Sequence, residues 1–391
     1  MARTGRNGGG PLRIAIFLPS LEVGGAERAM LNLASGLGKT AGLQVEIVVA
    51  QARGRYLQEV LQGQSVVDLA SPRVSRSLFP LVRYLRRRRP AVMISAMEHA
   101  NIIAIVARGL VGFPECLVVS SHTLISLARR GQIPNRAAIL PYLARLAYPL
   151  ADAVVAISQA VATDLERTLK LDPKKIHVIP NPIVADDILH GELNETSRSV
   201  RDRSKTVLFV GRLAIEKDLP TLFRAFRLVN ERRKALLIIV GEGPQRPRLQ
   251  QLAEELQISS KTTWAGFVED PYPIMRQASV LVLPSRWEGL GAVVVEALAC
   301  GCSVVATDGP GGVREILDDG RYGTLVPVGD HGAMAEAIVA TLDAPFPPEI
   351  LRQRAKEYTV EVIAARYLDL IRSCLPAGMA PPVTSSLEGH R

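Results

Sequence analysis

The 391-residue chain is expected to fold as two doubly wound α/β domains. Three observations carry that expectation. Short apolar runs alternate with segments of helical period along almost the whole length. Most of those runs are continuous in Val, Ile and Leu, the pattern of parallel strands covered on both faces. A polar stretch without apolar period, DDILHGELNETSRSVRDRSK at 186–205, divides them into two series.

The first series places strands at 12–18 (LRIAIFL), 44–50, 91–95, 117–120, 153–157 and 176–179, and the second at 206–210 (TVLFV), 235–240, 262–264, 280–284 and 303–306. Between them, AERAMLNLASGLGK ends on glycine and a lysine. LPTLFRAFRLVNERRK ends in a basic last turn that suits the negative end of a helix dipole. The expected boundaries are a first domain over 1–185, a linker over 186–205, a second domain over 206–352, a helix over 353–373 and a loose tail over 374–391 rich in Pro, Ser and Gly.

Composition narrows the class. The chain is 48% hydrophobic, 22% charged and 5% aromatic, which is globular and not disordered. The longest apolar stretch, NIIAIVARGLVGF at 101–113, is interrupted by Arg108, so a spanning helix is not expected. The opening MARTGRNGGGP lacks the apolar core of a signal peptide. Cys116, Cys300, Cys302 and Cys374 have neither metal-ligand spacing nor disulfide density and read as residues of a reduced, cytosolic protein.

The net charge of +9 is uneven. Residues 1–190 hold 23 Lys and Arg against 13 Asp and Glu, and the remainder 24 against 25. A basic half suits nucleic acid or an anionic membrane face. No aromatic stacking platform or nucleic-acid motif accompanies it. LVRYLRRRRP holds Arg83, Arg86, Arg87, Arg88 and Arg89. The stretch 124–150 mixes Leu, Ile and Tyr with Arg129, Arg130, Arg136 and Arg145. Arginines beside apolar side chains suit a lipid surface. Solvated helix ends and ordinary core packing are the alternative readings.

Ligands of open parallel sheets bind at the carboxyl ends of the strands, so function belongs in the loops that follow them. Gly24 and Gly25 open a helix after the first strand, and such a turn either cradles an anion or is simply tight. In FVGRLAIEKD, Arg212 and Lys217 stand at a strand end and suit phosphate, the alternative being a surface Arg212 and a Lys217 paired with Glu216 or Asp218. Gly241 and Gly243 make a third glycine turn, read either as close approach to a ligand or as a plain strand-to-helix turn. In PSRWEGLGAVVVEALACG, Gly289 and Gly291 delay the helix to about Ala292. Glu288 is therefore expected in a turn and Glu296 in the second helical turn. A carboxylate suits a pair of neighbouring hydroxyls, and the first-turn N–H groups suit a phosphate.

In order along the chain, GGAE, SH at 121–122, PNP at 180–182, GRLAIEK, VGEGP, GF at 266–267 and EGLGAVVVEALACGCSVVAT with GGVREIL resemble the retaining family 4 (group 1) glycosyltransferases. The resemblance spans Leu12 to about Arg372. It implies the GT-B fold, two Rossmann-like doubly wound domains facing each other across a cleft, and a last helix that crosses back to the first domain. Arg212 and Lys217 match the pair that holds the donor diphosphate, Glu296 the ribose ligand, and Glu288 the glutamate beside the donor sugar. The backbone of Leu290, Gly291 and Ala292 would touch sugar and phosphate. Gly24 and Gly25 match the loop closing over the diphosphate, His122 the histidine near the sugar, and Phe267 with Val268 the residues flanking the base.

The implied activity is retaining transfer of a hexose or N-acetylhexosamine from a nucleotide sugar, with UDP expected, to a lipid-linked or glycan acceptor. It would serve cell-surface polysaccharide or glycoconjugate synthesis, peripherally on the cytoplasmic face of the plasma membrane. No Asp-x-Asp element occurs, and the expectation is no cofactor, no metal and no nucleic-acid partner. Leu290, Ala292 and Val293 depart from the family's EGFGLP, which bears on the donor sugar. A GT-B sugar-nucleotide epimerase is the alternative enzyme, and a nucleic-acid-binding protein the alternative of another class.

Overall fold

The computed structural model describes residues 11–22, 24–129, 139–185, 188–189, 205–376 and 379. Most of the expected linker over 186–205 and of the tail, together with Arg130 and Arg136, lies outside them.

The first unit is built on a seven-stranded parallel sheet. Its strands are β1 (Leu12–Leu18), β2 (Leu43–Val49), β3 (Ser65–Asp68), β4 (Val92–Ala96), β5 (Cys116–Ser121), β6 (Ala153–Ala156) and β7 (Ile176–Val178), in the order β3-β2-β1-β4-β5-β6-β7. β1 and β2 pair over their full length, from Leu12 with Leu43 to Leu18 with Val49. Alternate strand residues, such as Ile14, Ile16, Ile47 and Ile94, enter a core shared with Met30, Leu33 and Leu37 of the helix Gly25–Gly38. Ile363, Tyr367 and Ile371 of the terminal helix join the same core.

The second unit holds six parallel strands: β8 (Thr206–Val210), β9 (Leu236–Val240), β10 (Thr262–Gly266), β11 (Val280–Leu283), β12 (Ser303–Thr307) and β13 (Thr324–Val326), in the order β10-β9-β8-β11-β12-β13. Val207, Phe209, Ile239, Val282 and Val305 face Leu222, Phe223 and Phe226 of the helix Leu219–Arg232, and the Phe223 and Trp264 rings meet edge to face at 5.9 Å. In both sheets successive strands are added to one side of the first strand and then to the other. The winding therefore reverses beside β1 and again beside β8.

Three expectations are corrected. The short edge strands β3 and β13 were not anticipated. The helix expected over 353–373 is broken. Pro348–Ala355 ends in a 3-10 turn at Lys356–Tyr358, and Thr359 is extended (φ −67°, ψ 154°) before a new helix, Val360–Cys374. The break arises because Thr359 pairs with Val184: the Val360 amide donates to the Val184 carbonyl at 3.0 Å, and the Ile183 amide donates to Tyr358. Finally, the units divide after Ile179, not at 185. Pro180–Val362 belong to the second unit with Ile157–Val161, and the chain rejoins the first unit at Ile363.

Candidate active site

In the second unit the loops after β8 and β11, the neighbours at the winding reversal, meet each other. This is where doubly wound sheets collect their ligands. Lys217 Nζ lies 2.5 Å from Glu288 Oε1, with the two side chains only 18% and 14% exposed. The buried Ser285 donates to the same oxygen at 2.6 Å. The Arg286 amide donates to the Glu216 carbonyl at 2.8 Å, and the Arg286 guanidinium reaches Asp218 at 3.2 Å. Asp218 is buried in the left-handed region (φ 43°) and accepts from Thr221 at 2.9 Å, which fixes the entry into the helix Leu219–Arg232. Arg212 is 70% exposed and pairs with Glu216 at 2.7 Å. Glu216 is taken by Arg212, and Lys217 pairs with neither Glu216 nor Asp218 but with the distant Glu288.

Glu288 sits in irregular backbone, as its flanking glycines require, and the helix runs Ala292–Ala299 from the left-handed Gly291 (φ 92°). Glu296 is half-buried in its second turn. Leu290 is buried. The loop after β12 braces this turn. The Glu288 amide donates to Pro310 at 3.0 Å and the Gly312 amide to Gly289 at 3.1 Å. Gly311 has φ 137°, and a Cβ there would fall 2.2 Å from the Glu288 carbonyl oxygen. Ser158 donates to the Gly289 carbonyl at 3.0 Å.

Gly241 (φ 133°) has a different reason to be glycine from close approach to a ligand. Its missing Cβ would stand 1.9 Å from the Gly211 carbonyl oxygen, so it lets the loops after β8 and β9 touch. Phe267 is exposed and Val268 half-buried just beyond β10.

In the first unit, Gly24 is extended (φ −163°) and its Cβ position is taken by the Glu27 carboxylate. Gly25 has nothing within 4 Å of that position. His122 follows β5 and is buried. Its Nε2 lies 3.0 Å from Ser120 Oγ and its Nδ1 has no partner. Burial pushes its pKa down to about 4, so near neutral pH it is an uncharged hydrogen-bonding group.

The basic patch is only partly free. Arg88 lies 3.9 Å from the buried Glu46, and Arg89 stacks over the Phe113 ring at 4.9 Å. Arg83, Arg86 and Arg87 are exposed on the helix Leu78–Arg88. Arg129 ends the helix Ile125–Arg129. Among the described residues no helix is long and apolar enough to cross a membrane, and no group of three or more His, Cys, Asp or Glu is placed to hold a metal.

Sequence reasoning passed over Ser285 and Pro310. Ser285 carried a signal, since a small hydroxyl residue stands just past β11, three positions before the glutamate. Pro310 acts through its carbonyl, which leaves no trace in side-chain chemistry.

The family described as Glycosyl transferases group 1 matches residues 192–361, and that described as Glycosyltransferase Family 4 matches residues 23–187. The chain is 28% identical over 345 residues (85% of this chain, 90% of the other) to a Campylobacter jejuni protein. That protein is named N-acetylgalactosamine-N,N'-diacetylbacillosaminyl-diphospho-undecaprenol 4-alpha-N-acetylgalactosaminyltransferase. It is 30% identical over 299 residues (69% of this chain, 72% of the other) to alpha-maltose-1-phosphate synthase of Mycolicibacterium smegmatis. Among solved structures, Anabaena HepE in complex with UDP superposes with a TM-score of 0.77, at 19% identity, over 92% of this chain and all of that one.

Proposed function

The chain belongs to the group 1 glycosyltransferases of family 4 and has their GT-B fold, and on that premise we propose that it moves a hexose or N-acetylhexosamine from a UDP-sugar to a lipid-linked acceptor, with retention, at the inner face of the plasma membrane. The observation that carries the donor side is the meeting of Lys217 and Glu288 at the carboxyl edge of β8 and β11. Two relatives from Campylobacter jejuni named as acting on undecaprenol-linked glycans support the acceptor class. The UDP complex of HepE supports the base.

In this reading the bond from sugar C1 to the phosphate oxygen breaks, and its electron pair leaves on the diphosphate. Arg212, Lys217 and the N-terminus of the helix Ala292–Ala299 meet that negative charge, so the reading needs no metal or other cofactor. Glu288 offers carboxylate oxygens to the sugar, and Glu296 to the ribose. The acceptor oxygen bonds to C1 from the face the leaving group departs, and its proton passes to the departing phosphate oxygen. Arg212→Ala and Lys217→Ala are each expected to lower kcat/KM by about 100-fold. Full activity in both variants rules the assignment out.

The membrane reading rests on one layer of the first unit. The helices Leu78–Arg88, Glu98–Val111 and Leu140–Ala147 pack side by side. They and the turn after them expose Phe79 (76%), Tyr142, Leu146 (76%) and Leu150 (65%). Arg83, Arg86, Arg87 and Arg145 are exposed on the same helices. Apolar side chains among cations fit an anionic bilayer surface and not nucleic acid. Sedimentation with phosphatidylglycerol vesicles at low salt is expected, and its loss in Leu146→Glu/Leu150→Glu. A protein that stays in the supernatant with such vesicles removes the reading.

A further inference from the structure

At the winding reversal of the first sheet, β4 ends in an unusual way. Met97, the residue after the strand, has φ 75° and ψ 138°, a conformation that side chains other than glycine's rarely adopt. Such strain persists where the surroundings hold it, and it concentrates at functional positions. Here it delivers Glu98, the first residue of the helix Glu98–Val111, at the carboxyl edge of β4 beside the loop that follows β5.

The Glu98 carboxylate is used on one side only. Thr123 Oγ1 donates to Oε1 at 3.0 Å and Ser121 Oγ donates to the same atom at 3.2 Å. These two hydroxyls flank His122 in sequence, so one carboxylate oxygen clasps the histidine's loop on both sides. Among the described residues the hydrogen bonds to this carboxylate both fall on Oε1, no lysine or arginine pairs with it, and the residue is half-buried. His122 itself is buried with Nδ1 unpartnered. A carboxylate oxygen open to a ligand, at the start of the helix after β4, and a buried ring nitrogen without a partner, in the loop after β5, therefore lie at one sheet edge. Buried polar atoms normally have partners, so His122 Nδ1 marks a place where something else supplies one, while Glu98 Oε2, which is not fully buried, is open to a ligand.

We propose that Glu98 is an acceptor-binding residue: its Oε2 accepts a hydrogen bond from a hydroxyl of the acceptor's terminal sugar, while Oε1 holds the His122 loop. The proposal rests on the reading of the acceptor as a lipid-linked glycan. A carboxylate is acceptor-only and takes two hydroxyls on one oxygen while leaving the other for substrate. A charged acceptor bonded to a neutral hydroxyl gives a strong contact. The absence of a cationic partner keeps that oxygen from being occupied by the protein itself.

The test uses an isostere that separates the two oxygens. In Glu98→Gln the remaining carbonyl oxygen still accepts from Ser121 and Thr123, but the amide nitrogen in place of Oε2 donates and no longer accepts. The companion Ser121→Ala/Thr123→Val keeps the carboxylate and removes the clasp. The probes are a short-chain polyprenyl diphosphate bearing a terminal N-acetylhexosamine as acceptor, UDP-N-acetylgalactosamine as donor, and slow donor hydrolysis without acceptor as the control.

Glu98→Gln is expected to raise the acceptor KM, or lower acceptor kcat/KM, by about 10- to 100-fold. Its donor KM and hydrolysis rate should stay within about twofold of the parent. If Glu98 only braces the loop, the glutamine variant will transfer like the parent while the double variant loses activity, and the proposal fails. It fails as well if Glu98→Gln slows donor hydrolysis in step with transfer. A parent protein that hydrolyses the donor yet never uses this lipid acceptor defeats the acceptor reading and this proposal with it.

Discussion

Replacing Glu288 by glutamine is expected to tighten UDP binding and slow transfer, two effects of opposite sense from one atom change. The two cations assigned to the diphosphate are neutralised within the protein, Lys217 by Glu288 and Arg212 by Glu216. A diphosphate must therefore draw Lys217 away from a carboxylate that is itself largely shielded from water. Glutamine keeps a carbonyl oxygen for Ser285 and for the ammonium group but removes the charge. Exposed ion pairs contribute about 0–1 kcal/mol, and breaking a fully buried pair costs about 3–5 kcal/mol. With both partners under a fifth exposed but neither fully buried, about 1 kcal/mol is released to the ligand, roughly a fivefold gain in UDP affinity. Turnover should fall by about 100-fold, because the carboxylate no longer faces the positive charge growing on the sugar ring. Calorimetric titration with UDP at low and high salt, beside initial rates with the sugar nucleotide, reads both. The gain should shrink as salt screens the site. UDP binding weakened more than about threefold, or an unchanged turnover, refutes the reasoning.

Gly311→Ala forces a Cβ onto the Glu288 carbonyl at a positive φ. It should cost about 2 kcal/mol, a fall of roughly 4–8 °C in the second unit's unfolding transition by calorimetry. Gly25→Ala meets no atom and should leave the first unit's unfolding transition unchanged, so any lost transfer in it reports on the donor loop alone. His122 has a folded pKa near 4, below its unfolded value of about 6.5. The unfolded chain thus binds the extra proton first, and the stability is present above pH 6.5 and lost as pH falls toward 4, by up to about 3 kcal/mol. His122→Gln should flatten denaturant midpoints across that window, and an unaltered acid profile removes the assignment. Because Arg212 and Lys217 are assigned the leaving group's charge, transfer should survive excess EDTA, and its abolition would overturn the cofactor-free reading.

Eleven of the thirteen strands among the described residues were legible, nine of them because each carries three or more apolar residues that both faces of a sheet must cover. The four sheet-edge strands carry only two apolar residues each, and two of them, Ser65–Asp68 and Thr324–Val326, were missed. There a strand pairs on one side only, and two or three apolar residues suffice. The split of the terminal helix at Thr359 was illegible for another reason. Its cause is a contact with Val184, some 175 positions earlier, and helical periodicity records nothing about such partners.

The site divides along the same line. The positions of Glu288 and Glu296 follow from local rules, since glycine at 289 and 291 sets where the helix begins, and Ala292 is where it does. The pairing of charges does not follow from local rules. Spacing alone favoured Lys217 with Glu216 or Asp218, but parallel winding sets the ends of β8 and β11 side by side and brings Glu288 to the lysine across 71 positions. Glu98 follows the same logic, since its two hydroxyl partners stand 23 and 25 positions away on the next strand's loop. In a doubly wound sheet, then, composition of the strand-end loops announces which groups can meet a ligand, while strand order decides which of them are already spoken for. Lys217 is held by a carboxylate and Glu98 keeps a free oxygen. That difference is why the donor site should respond to loss of a charge by binding more tightly, and the acceptor site by binding less.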